Sequence, residues 1–516
     1  MDPREHTSLF RKLWLEYCET CTVYAMRHLS VKSISIGNRI WWMFWIVCAI
    51  TLTCLSLLAT YGGWMMNPIY ISYETEFFPS WSVPFPAITI CPLVKVNAMY
   101  FNITDNLEKY MKGQEISDRN IQCLRCISQT CFALPKINKF TTHVSENCVE
   151  HFQNVSLDID DTMISCSWRN QNVDCNTIWT QTLTDDGLCF TFNGIGANRL
   201  FRTENLHKEY SYISKTPDSS FWNVEEGYLN RNELAGYPKR PIGTGISSGL
   251  NILLKTRNID AEMVCNAPRN GFKVILHSPD EYPSLENFFQ RLPLEDSLLF
   301  MVQPELILTS EDLRKLPLKS RHCYFRHERY LRFFKEYNQN NCIQECIANL
   351  SQSMCSCIKF SMPRSGDVRV CDASEIGCYR DTFFRVFRNV SNEQEYPCGC
   401  LPTCTSLSYN YEISSISLNH SAYTRALDKK EWHLDDLKPA ILMVAFKEKW
   451  FLPMIRQKLV GFSDAVAKLG GLFSLIMGAS FLTIVELLYY CFVRPCSRKV
   501  FEENVSEIRS IVAWHR

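Results

Sequence analysis

Two long stretches with almost no ionisable side chains, one near each end of the chain, constrain the fold more than any other feature. The first runs from Ile40 to Tyr73 without Asp, Glu, Lys or Arg, and the second runs from Leu469 to Val493 with Glu486 as its single charge. About 20 apolar helical residues cross the roughly 30 Å hydrocarbon core of a bilayer. The chain is therefore predicted to span a membrane twice, with the polar region between the stretches on one side.

Basic residues lie before the first stretch, at Arg27, Lys32 and Arg39, and after the second, at Arg494 and Arg498. Cytoplasmic flanks are rich in Lys and Arg, so both termini are predicted to be cytosolic. The first stretch is longer than the h-region of a cleavable signal, which favours a signal anchor. The predicted segments are a cytosolic one at 1–39, a transmembrane helix at 40–62, an extracellular domain at 63–462, a pre-pore segment with the second transmembrane helix at 463–493, and a cytosolic one at 494–516.

The region between the stretches contains 19 of the 25 cysteines. Dense cysteines outside the cytosol predict a disulfide framework, and an odd number leaves at least one thiol without a partner in the same chain. Five Asn-x-Ser/Thr sequons predict glycosylated surface loops, at Asn102, Asn154, Asn349, Asn389 and Asn419. The formal net charge is zero, so nothing favours a nucleic-acid partner.

Hydrophobic patterning in the middle region predicts a mixed domain. Alternating apolar and polar positions at 187–203, 245–277 and 405–450 are typical of strands in a sheet with one solvated face. Polar, helix-compatible runs fill 99–170. We therefore predict a membrane α+β protein, with two transmembrane helices and a large disulfide-rich extracellular domain that has a central β-sheet and peripheral helices.

Cysteine spacing is most informative in the later half of that domain. Cys342-x3-Cys346 and Cys400-x3-Cys404 share a spacing of about one helical turn, so each pair would lie on one face of a helix. Two such faces could be joined by parallel disulfides. The alternative is a zinc cluster, which is disfavoured because histidines at ligand spacing are missing and the compartment is oxidising. No metal or cofactor is predicted.

The second apolar stretch differs from a plain membrane anchor because small and polar residues interrupt it. Gly478, Ala479 and Ser480 could expose backbone carbonyls and supply a hydroxyl in place of water around a cation. A carboxylate within a span costs roughly 2.5–3.5 kcal/mol on insertion scales, so Glu486 is expected to face a polar interior. The alternative is a packing motif in which Glu486 reaches the inner surface near Arg494.

These residues resemble the epithelial sodium channel/degenerin family, and within it the insect pickpocket branch, over nearly the whole chain. The similar motifs are Phe85-Pro-Ala-Ile-Thr-Ile-Cys91, Gly187-Leu-Cys-Phe-Thr-Phe-Asn193, Val274-Ile-Leu-His-Ser-Pro-Asp-Glu-Tyr-Pro283 and the run from Gly470 to Glu486. The resemblance implies a plasma-membrane trimer, homomeric or formed with related subunits, that conducts Na⁺ and is blocked by amiloride. It also implies a stimulus on the extracellular domain. Mechanical load, peptides, lipids, water and protons are all compatible stimuli.

The resemblance assigns roles to single residues of the second stretch. Gly478, Ala479 and Ser480 match the selectivity filter of the family, and Glu486 matches its pore-lining acid. Ala467, eleven residues before Gly478, matches the gating position at which a bulky side chain holds such channels open.

The resemblance also implies a disulfide connectivity that the spacing leaves open. The implied pairs are Cys91–Cys189, Cys323–Cys404, Cys342–Cys400, Cys346–Cys398, Cys355–Cys378 and Cys357–Cys371. No partner is implied for the other seven cysteines of the domain, which are Cys123, Cys126, Cys131, Cys148, Cys166, Cys175 and Cys265.

One departure from the family pattern affects the functional prediction. The family carries a His-Gly pair before the first span that supports opening, and this chain has Tyr24 and Ala25 at those gating positions. A homotrimer is therefore predicted to have low activity. The leading hypothesis is a pore-forming subunit of a trimeric sodium channel. The alternative is an auxiliary or receptor-like subunit that conducts only in heteromeric channels.

Other motifs are given simpler interpretations. Gly245-Ile-Ser-Ser-Gly249 matches the nucleophile elbow of hydrolases, but a strand-like run follows it where a helix is needed, so no enzyme is predicted. An ATP-gated channel shares the two-span layout but needs a basic nucleotide site that the sequence lacks. Asp185-Asp186 predicts an exposed acidic turn, and His277, before Ser-Pro, predicts a turn residue.

Overall fold

The computed structural model describes residues 14–23, 25–26, 28, 35–66, 68–131, 148–208, 222–228, 236–260, 265, 270–284, 288–371, 373–388, 397–419, 437–495 and 497. The chain divides into two compact units. The helical unit combines Met1–Tyr70 with Gln457–Arg516, and the cysteine-rich unit is Ile71–Arg456.

The described helices of eight or more residues are α1 (Ile36–Met66), α2 (Ile103–Met111), α3 (Asp118–Ser128), α4 (Cys148–Val155), α5 (Gln339–Cys355), α6 (Ile376–Arg388), α7 (Phe462–Met477) and α8 (Phe481–Leu488). One-turn helices lie at Ile159–Thr162, Cys175–Ile178, Ala197–Leu200, Glu311–Arg314 and Leu318–Arg321. The strands are β1 (Ile69–Tyr73), β2 (Phe78–Pro79), β3 (Ala87–Pro92), β4 (Met163–Trp168), β5 (Gln171–Val173), β6 (Trp179–Thr184), β7 (Gly187–Phe192), β8 (Trp222–Asn223), β9 (Gly227–Tyr228), β10 (Leu250–Arg257), β11 (Gly271–His277), β12 (Gln290–Pro293), β13 (Asp296–Thr309), β14 (Ser406–Ser417), β15 (Leu437–Phe446), β16 (Trp450–Phe451) and β17 (Met454–Lys458).

The helical unit holds the second apolar stretch and all but the last three residues of the first. With 31 residues, α1 is about 46 Å long, and it is the one helix in the described ranges that is long and apolar enough to cross a membrane unbroken. The second stretch folds as two helices, α7 and α8, and a π-helical turn extends α8 through Tyr489–Val493. The two pieces are bent by 79° and reach the length of a span only together.

The cysteine-rich unit contains two main sheets, and both take strands from distant parts of the sequence. The larger one includes β17-β13-β15-β10-β4-β5 in this order, and β14 also pairs with β13, in the antiparallel direction. The smaller one has the antiparallel order β12-β11-β3-β7-β6. The predicted β-sheet is confirmed, and it is built from both halves of the unit, because β4 and β10 come from the first half and β14 and β15 from the second.

The main hydrophobic core draws side chains from both sheets. Alternate residues of β10, Leu250, Ile252 and Leu254, are fully buried in it together with Phe190 and Phe192 of the smaller sheet. Their spacing of two follows the strand period, which points alternate side chains to one face. By contrast, β3 is buried along its whole length, as expected for a central strand covered on both faces.

Nine disulfides join described cysteines of this unit. Six of them are the pairs that the resemblance implies. The other three are Cys126–Cys148, Cys131–Cys265 and Cys166–Cys175. Among the nineteen cysteines Cys123 is left without a disulfide, and burial raises the pKa of its thiol to about 12, which makes it unreactive near neutral pH.

The geometric picture of two helical faces joined by disulfides is half wrong. Cys342 and Cys346 do lie one turn apart on α5. Their partners are Cys400 and Cys398, respectively. Cys398 lies within a 3₁₀ turn at Pro397–Gly399 and has a φ of 57°, and Cys400 follows this turn. The equal spacing of the two sequence blocks therefore does not reflect two helices, because Cys400 and Cys404 do not lie on a helix, and Cys404 bonds to Cys323.

Two titratable groups near the end of β11 have pKa values shifted in opposite directions. His277 is the last residue of β11 and is buried, so the prediction of a simple turn residue was wrong. Its Nε2 lies 2.9 Å from Thr89 Oγ1, and burial lowers its pKa from 6.5 to about 4. Glu281 accepts a 3.2 Å hydrogen bond from Asn338, and burial raises its pKa from 4.5 to about 7.

These shifts predict opposite pH dependences of stability. The unfolded chain binds more protons at His277 between pH 4 and 6.5, so the free energy of unfolding rises with pH there. The folded chain binds more protons at Glu281 between pH 4.5 and 7. The stabilisation that Glu281 adds to the free energy of unfolding is therefore full below pH 4.5 and is lost as the pH rises through 7. In the unmodified protein the two effects oppose each other between pH 4.5 and 6.5.

In Glu281→Gln we expect the free energy of unfolding to rise with pH, because the His277 effect remains. In His277→Gln we expect it to fall with pH, because the Glu281 effect remains. Each change should be about 1–3 kcal/mol over the pH range given above. Urea unfolding of the full chain in detergent between pH 4 and 8 measures both. Glu311→Gln removes a carboxylate whose side chain is 89% exposed and should reproduce the unmodified profile. Equal slopes in the two test variants would contradict the assignment.

Candidate ion-conducting segment

The break between α7 and α8 is built on Gly478. This glycine ends α7 in the left-handed region, with a φ of 66°, which it adopts readily because it has no Cβ. Its amide donates to the Ser474 carbonyl at 3.0 Å, and the Ala479 amide donates to the Phe473 carbonyl at 3.3 Å. These two bonds close α7 and turn the chain away from its axis.

Ser480 starts α8 on the other side of the break. Its amide donates to Thr483 Oγ1 at 3.0 Å, and the Thr483 amide donates to the Ser480 carbonyl at 3.0 Å. The last four carbonyls of a helix lack hydrogen-bond partners within it. The carbonyls of Leu475–Met477 are therefore located at the break without a partner inside α7. Carbonyl oxygens beside a serine hydroxyl can replace part of the hydration shell of a cation.

The filter residues of the sequence analysis are accessible in the single chain. Gly478 and Ser480 are exposed and Ala479 is half-buried. Ala467 is also exposed, on α7, about 16 Å of helical rise before Gly478. Large apolar side chains around the break are exposed too, with Leu475 at 86%. Apolar surface of this kind needs lipid or further subunits to cover it.

Glu486 is held by the N-terminal part of the helical unit. Its Oε2 accepts a 3.0 Å hydrogen bond from the Thr22 amide and a 3.1 Å bond from the Thr22 hydroxyl. Thr22 Oγ1 also lies 2.7 Å from Thr483 Oγ1. Arg494, the cation toward which the packing interpretation directs Glu486, pairs instead with Glu16 at 2.6 Å. The carboxylate is thus positioned by hydrogen bonds from a second segment.

Thr22 was not among the residues identified from the sequence. Its hydroxyl is 464 positions from Glu486 in the chain, and a lone threonine carries no periodic or spacing signal. The neighbouring Thr20 hydroxyl lies 2.9 Å from the Tyr490 hydroxyl. Of the two predicted gating positions nearby, Ala25 is half-buried in a helical turn, and Tyr24 lies outside the described residues.

The predicted glycosylation sites are all in the cysteine-rich unit. The side chains of Asn102, Asn154, Asn349 and Asn419 are exposed. Asn102 also caps α2, because its Oδ1 accepts a 3.0 Å hydrogen bond from the Asp105 amide. Asn389 lies outside the described residues.

Comparison with known proteins gives consistent similarity along the chain. The sequence profile of a family described as amiloride-sensitive sodium channel matches residues 17–490. Pickpocket protein 28 of Drosophila melanogaster is 24% identical over 96% of this chain and 81% of its own length. Sodium channel protein Nach of the same species is 21% identical over 93% and 87%, and acid-sensing ion channel 4-B of Danio rerio is 23% identical over 79% and 63%. These relatives are ion channels and not enzymes.

Proposed function

The chain belongs to the amiloride-sensitive sodium channel family, and from that premise we propose that it is a pore-forming subunit of a sodium-selective, amiloride-sensitive cation channel. Family members are plasma-membrane channels that form multimers with related subunits. We place three subunits around a central axis, with the broken segment of α7 and α8 of each subunit lining the conduction path.

The membrane topology follows from the same premise. α1 forms the first span, and α7 with α8 forms the second. Both termini are cytosolic, and the cysteine-rich unit with its disulfides and exposed sequons is extracellular, where oxidising conditions keep disulfides formed. A stimulus acting on that unit opens the channel.

The observation that carries the proposal is the break at Gly478–Ser480 inside an apolar segment. Backbone carbonyls without helical partners are tolerated at membrane depth only against protein or a water-filled cavity. The exposed Ser480 hydroxyl, and Glu486 two turns further on, supply the polar groups that such a cavity needs for a cation. Three copies of Glu486 form an acidic ring that concentrates Na⁺.

Glu486→Gln tests this role directly. We expect the single-channel Na⁺ conductance to fall by about 2-fold or more, because the ring loses its attraction for cations. Ser480→Ala should change the ratio of Na⁺ to K⁺ permeability, because it removes a hydroxyl at the constriction. Glu19→Gln makes the same chemical change as Glu486→Gln at an exposed position and serves as the matched control. Normal conductance and selectivity in both test variants would refute a pore-lining role.

The second candidate is an auxiliary subunit that conducts only in heteromeric channels. Tyr24 and Ala25, in place of the His-Gly pair that supports opening, favour it. We expect small amiloride-sensitive currents when the chain is expressed alone, and larger ones with a related subunit. In heteromers, a pore-lining subunit transmits the Glu486→Gln effect to the conductance, whereas a peripheral one does not. A large constitutive current from the chain alone would exclude this candidate.

A further inference from the structure

A cavity of about 560 Å³ lies within the cysteine-rich unit, well away from the break between α7 and α8 in the sequence. This volume is in the range of sites that hold small organic ligands. Part of its lining comes from α6, with Ile376, Tyr379 and Phe383, and another part comes from the smaller sheet and its loops, with Lys273 and Phe289. A molecule bound here would contact both elements.

Among the residues that the structure describes, cations outnumber carboxylates around this cavity. The described charged residues that line it are Lys273, Arg291, Lys359, Arg380, Asp185 and Asp186. Lys95 stands directly behind Asp186, with its Nζ 2.6 Å from Asp186 Oδ2. Together these residues amount to five positive and two negative charges. The excess favours an anionic ligand.

Asp186 is already shared by two lysines, Lys95 and Lys273. Its Oδ1 accepts from Lys273 at 2.6 Å and its Oδ2 from Lys95 at the same distance. The side chains of Asp186 and Lys95 are only 8% and 4% exposed, and that of Lys273 is 18% exposed. Lys273 is thus the cation of this group that is open to the cavity. Arg291, an exposed residue of β12, supplies a second cation on the same side.

Apolar side chains form the rest of the lining. Phe383 is half-buried and Phe384 is 53% exposed, which is unusual for a ring of this size and leaves apolar surface facing the cavity. Phe289 lies under both Lys273 and Arg291, with their cationic groups 4.8 Å and 5.8 Å from its ring centroid. The cationic groups of the cavity are therefore in direct contact with an aromatic side chain of its apolar lining.

We propose that this cavity binds an anionic amphiphile, a molecule that joins a carboxylate head to an apolar body of about ten or more carbon atoms. The head lies between Lys273 and Arg291, and the body packs along Tyr379, Phe383 and Phe384. Charge-assisted hydrogen bonds fix the head, and buried apolar area supplies most of the affinity. Binding does not depend on the proposed conduction role, since every residue involved belongs to the cysteine-rich unit.

The test uses dodecanoate as the probe and the full chain in an uncharged detergent. A ligand that binds only the folded state stabilises it by RT ln(1 + [L]/Kd), so it raises the unfolding temperature once its concentration exceeds Kd. We expect dodecanoate to raise it, and dodecanol, acetate and inorganic phosphate at equal concentration to leave it unchanged. An equal effect of dodecanol would show an apolar site without anion recognition, and an equal effect of acetate or phosphate would show a simple anion site. Either result overturns the proposal.

Variants locate the site. Lys273→Gln removes one cation of the cavity but keeps the ion pair of Lys95 and Asp186, which has no net charge. We expect this variant to raise the Kd for dodecanoate about 10-fold. Arg291→Gln changes an exposed side chain, and it should also weaken binding. Phe384→Ser should weaken binding of dodecanoate without creating binding of acetate. Lys315→Gln, at a lysine that is 81% exposed, is the matched control. Undiminished binding in Arg291→Gln and Phe384→Ser would place the ligand elsewhere.

Discussion

Gly478→Val is expected to abolish the sodium current, with at least a 10-fold loss of macroscopic conductance at equal surface expression. The left-handed conformation of Gly478, with a φ of 66°, costs a residue with a Cβ about 1–2 kcal/mol, and a β-branched residue more. A Cβ placed there meets no other atom within 4 Å. The cost is therefore one of backbone conformation, and it favours continuation of α7 through the break. A continuous helix would pair the carbonyls that now end there.

The chain offers matched controls for this experiment. Gly470 and Gly471 lie within α7, and a Cβ there also meets no atom within 4 Å. Gly470→Ala is expected to keep the current, because alanine favours a helix by about 1 kcal/mol over glycine. Gly478→Asn is expected to retain part of the current, because asparagine tolerates the left-handed region. Whole-cell current normalised to surface protein measures all three. A fully conducting Gly478→Val would contradict a functional break.

Asp186→Asn is expected to destabilise the cysteine-rich unit by about 3–5 kcal/mol, because it leaves two largely buried lysines without a carboxylate. Although burial acts to raise the pKa of Asp186, the ammonium groups of Lys95 and Lys273 hold it below its ordinary value. The loss should appear as a lower urea midpoint of the full chain in detergent, and as a reduced amount of protein at the cell surface.

Two comparisons distinguish this loss of stability from the smaller loss expected when an exposed ion pair is broken. Asp105→Asn breaks the pair with Lys109, in which both side chains are about half exposed, and should cost no more than about 1 kcal/mol. Asp186→Asn combined with Lys95→Met removes one of the stranded cations and should recover part of the lost stability. If Asp186→Asn behaves like Asp105→Asn, the buried network does not contribute as described.

Local patterns were sufficient to predict the elements whose signals are short in sequence. The period of two in 245–277 predicts β10 and β11, and the charge-free run from Ile40 predicts α1. The small-residue run at Gly478–Ser480 coincides with the place where the second stretch breaks, because glycine readily ends a helix in the left-handed region. In each case the signal and the structure involve the same few residues.

Contacts between residues far apart in the chain could not be predicted in this way. Asp185–Asp186 predicts an exposed acidic turn, but Asp186 is buried because Lys95 and Lys273 converge on it from two other strands or their ends. Thr22 reaches Glu486 for the same kind of reason. Such pairs follow from the order of strands and the packing of segments, and nothing in their local sequence distinguishes them from ordinary surface residues.

The most direct test of the pore assignment is water access to single cysteines introduced one at a time from residue 470 to residue 488. The background chain would lack the free thiols of Cys48, Cys54 and Cys491. We predict that a charged methanethiosulfonate reagent blocks the current through cysteines at Ser480 and Glu486 of the open channel, while most intervening positions stay unmodified. If a cysteine at Ser480 is inert and only its neighbours on another helix face react, ions do not pass along this segment.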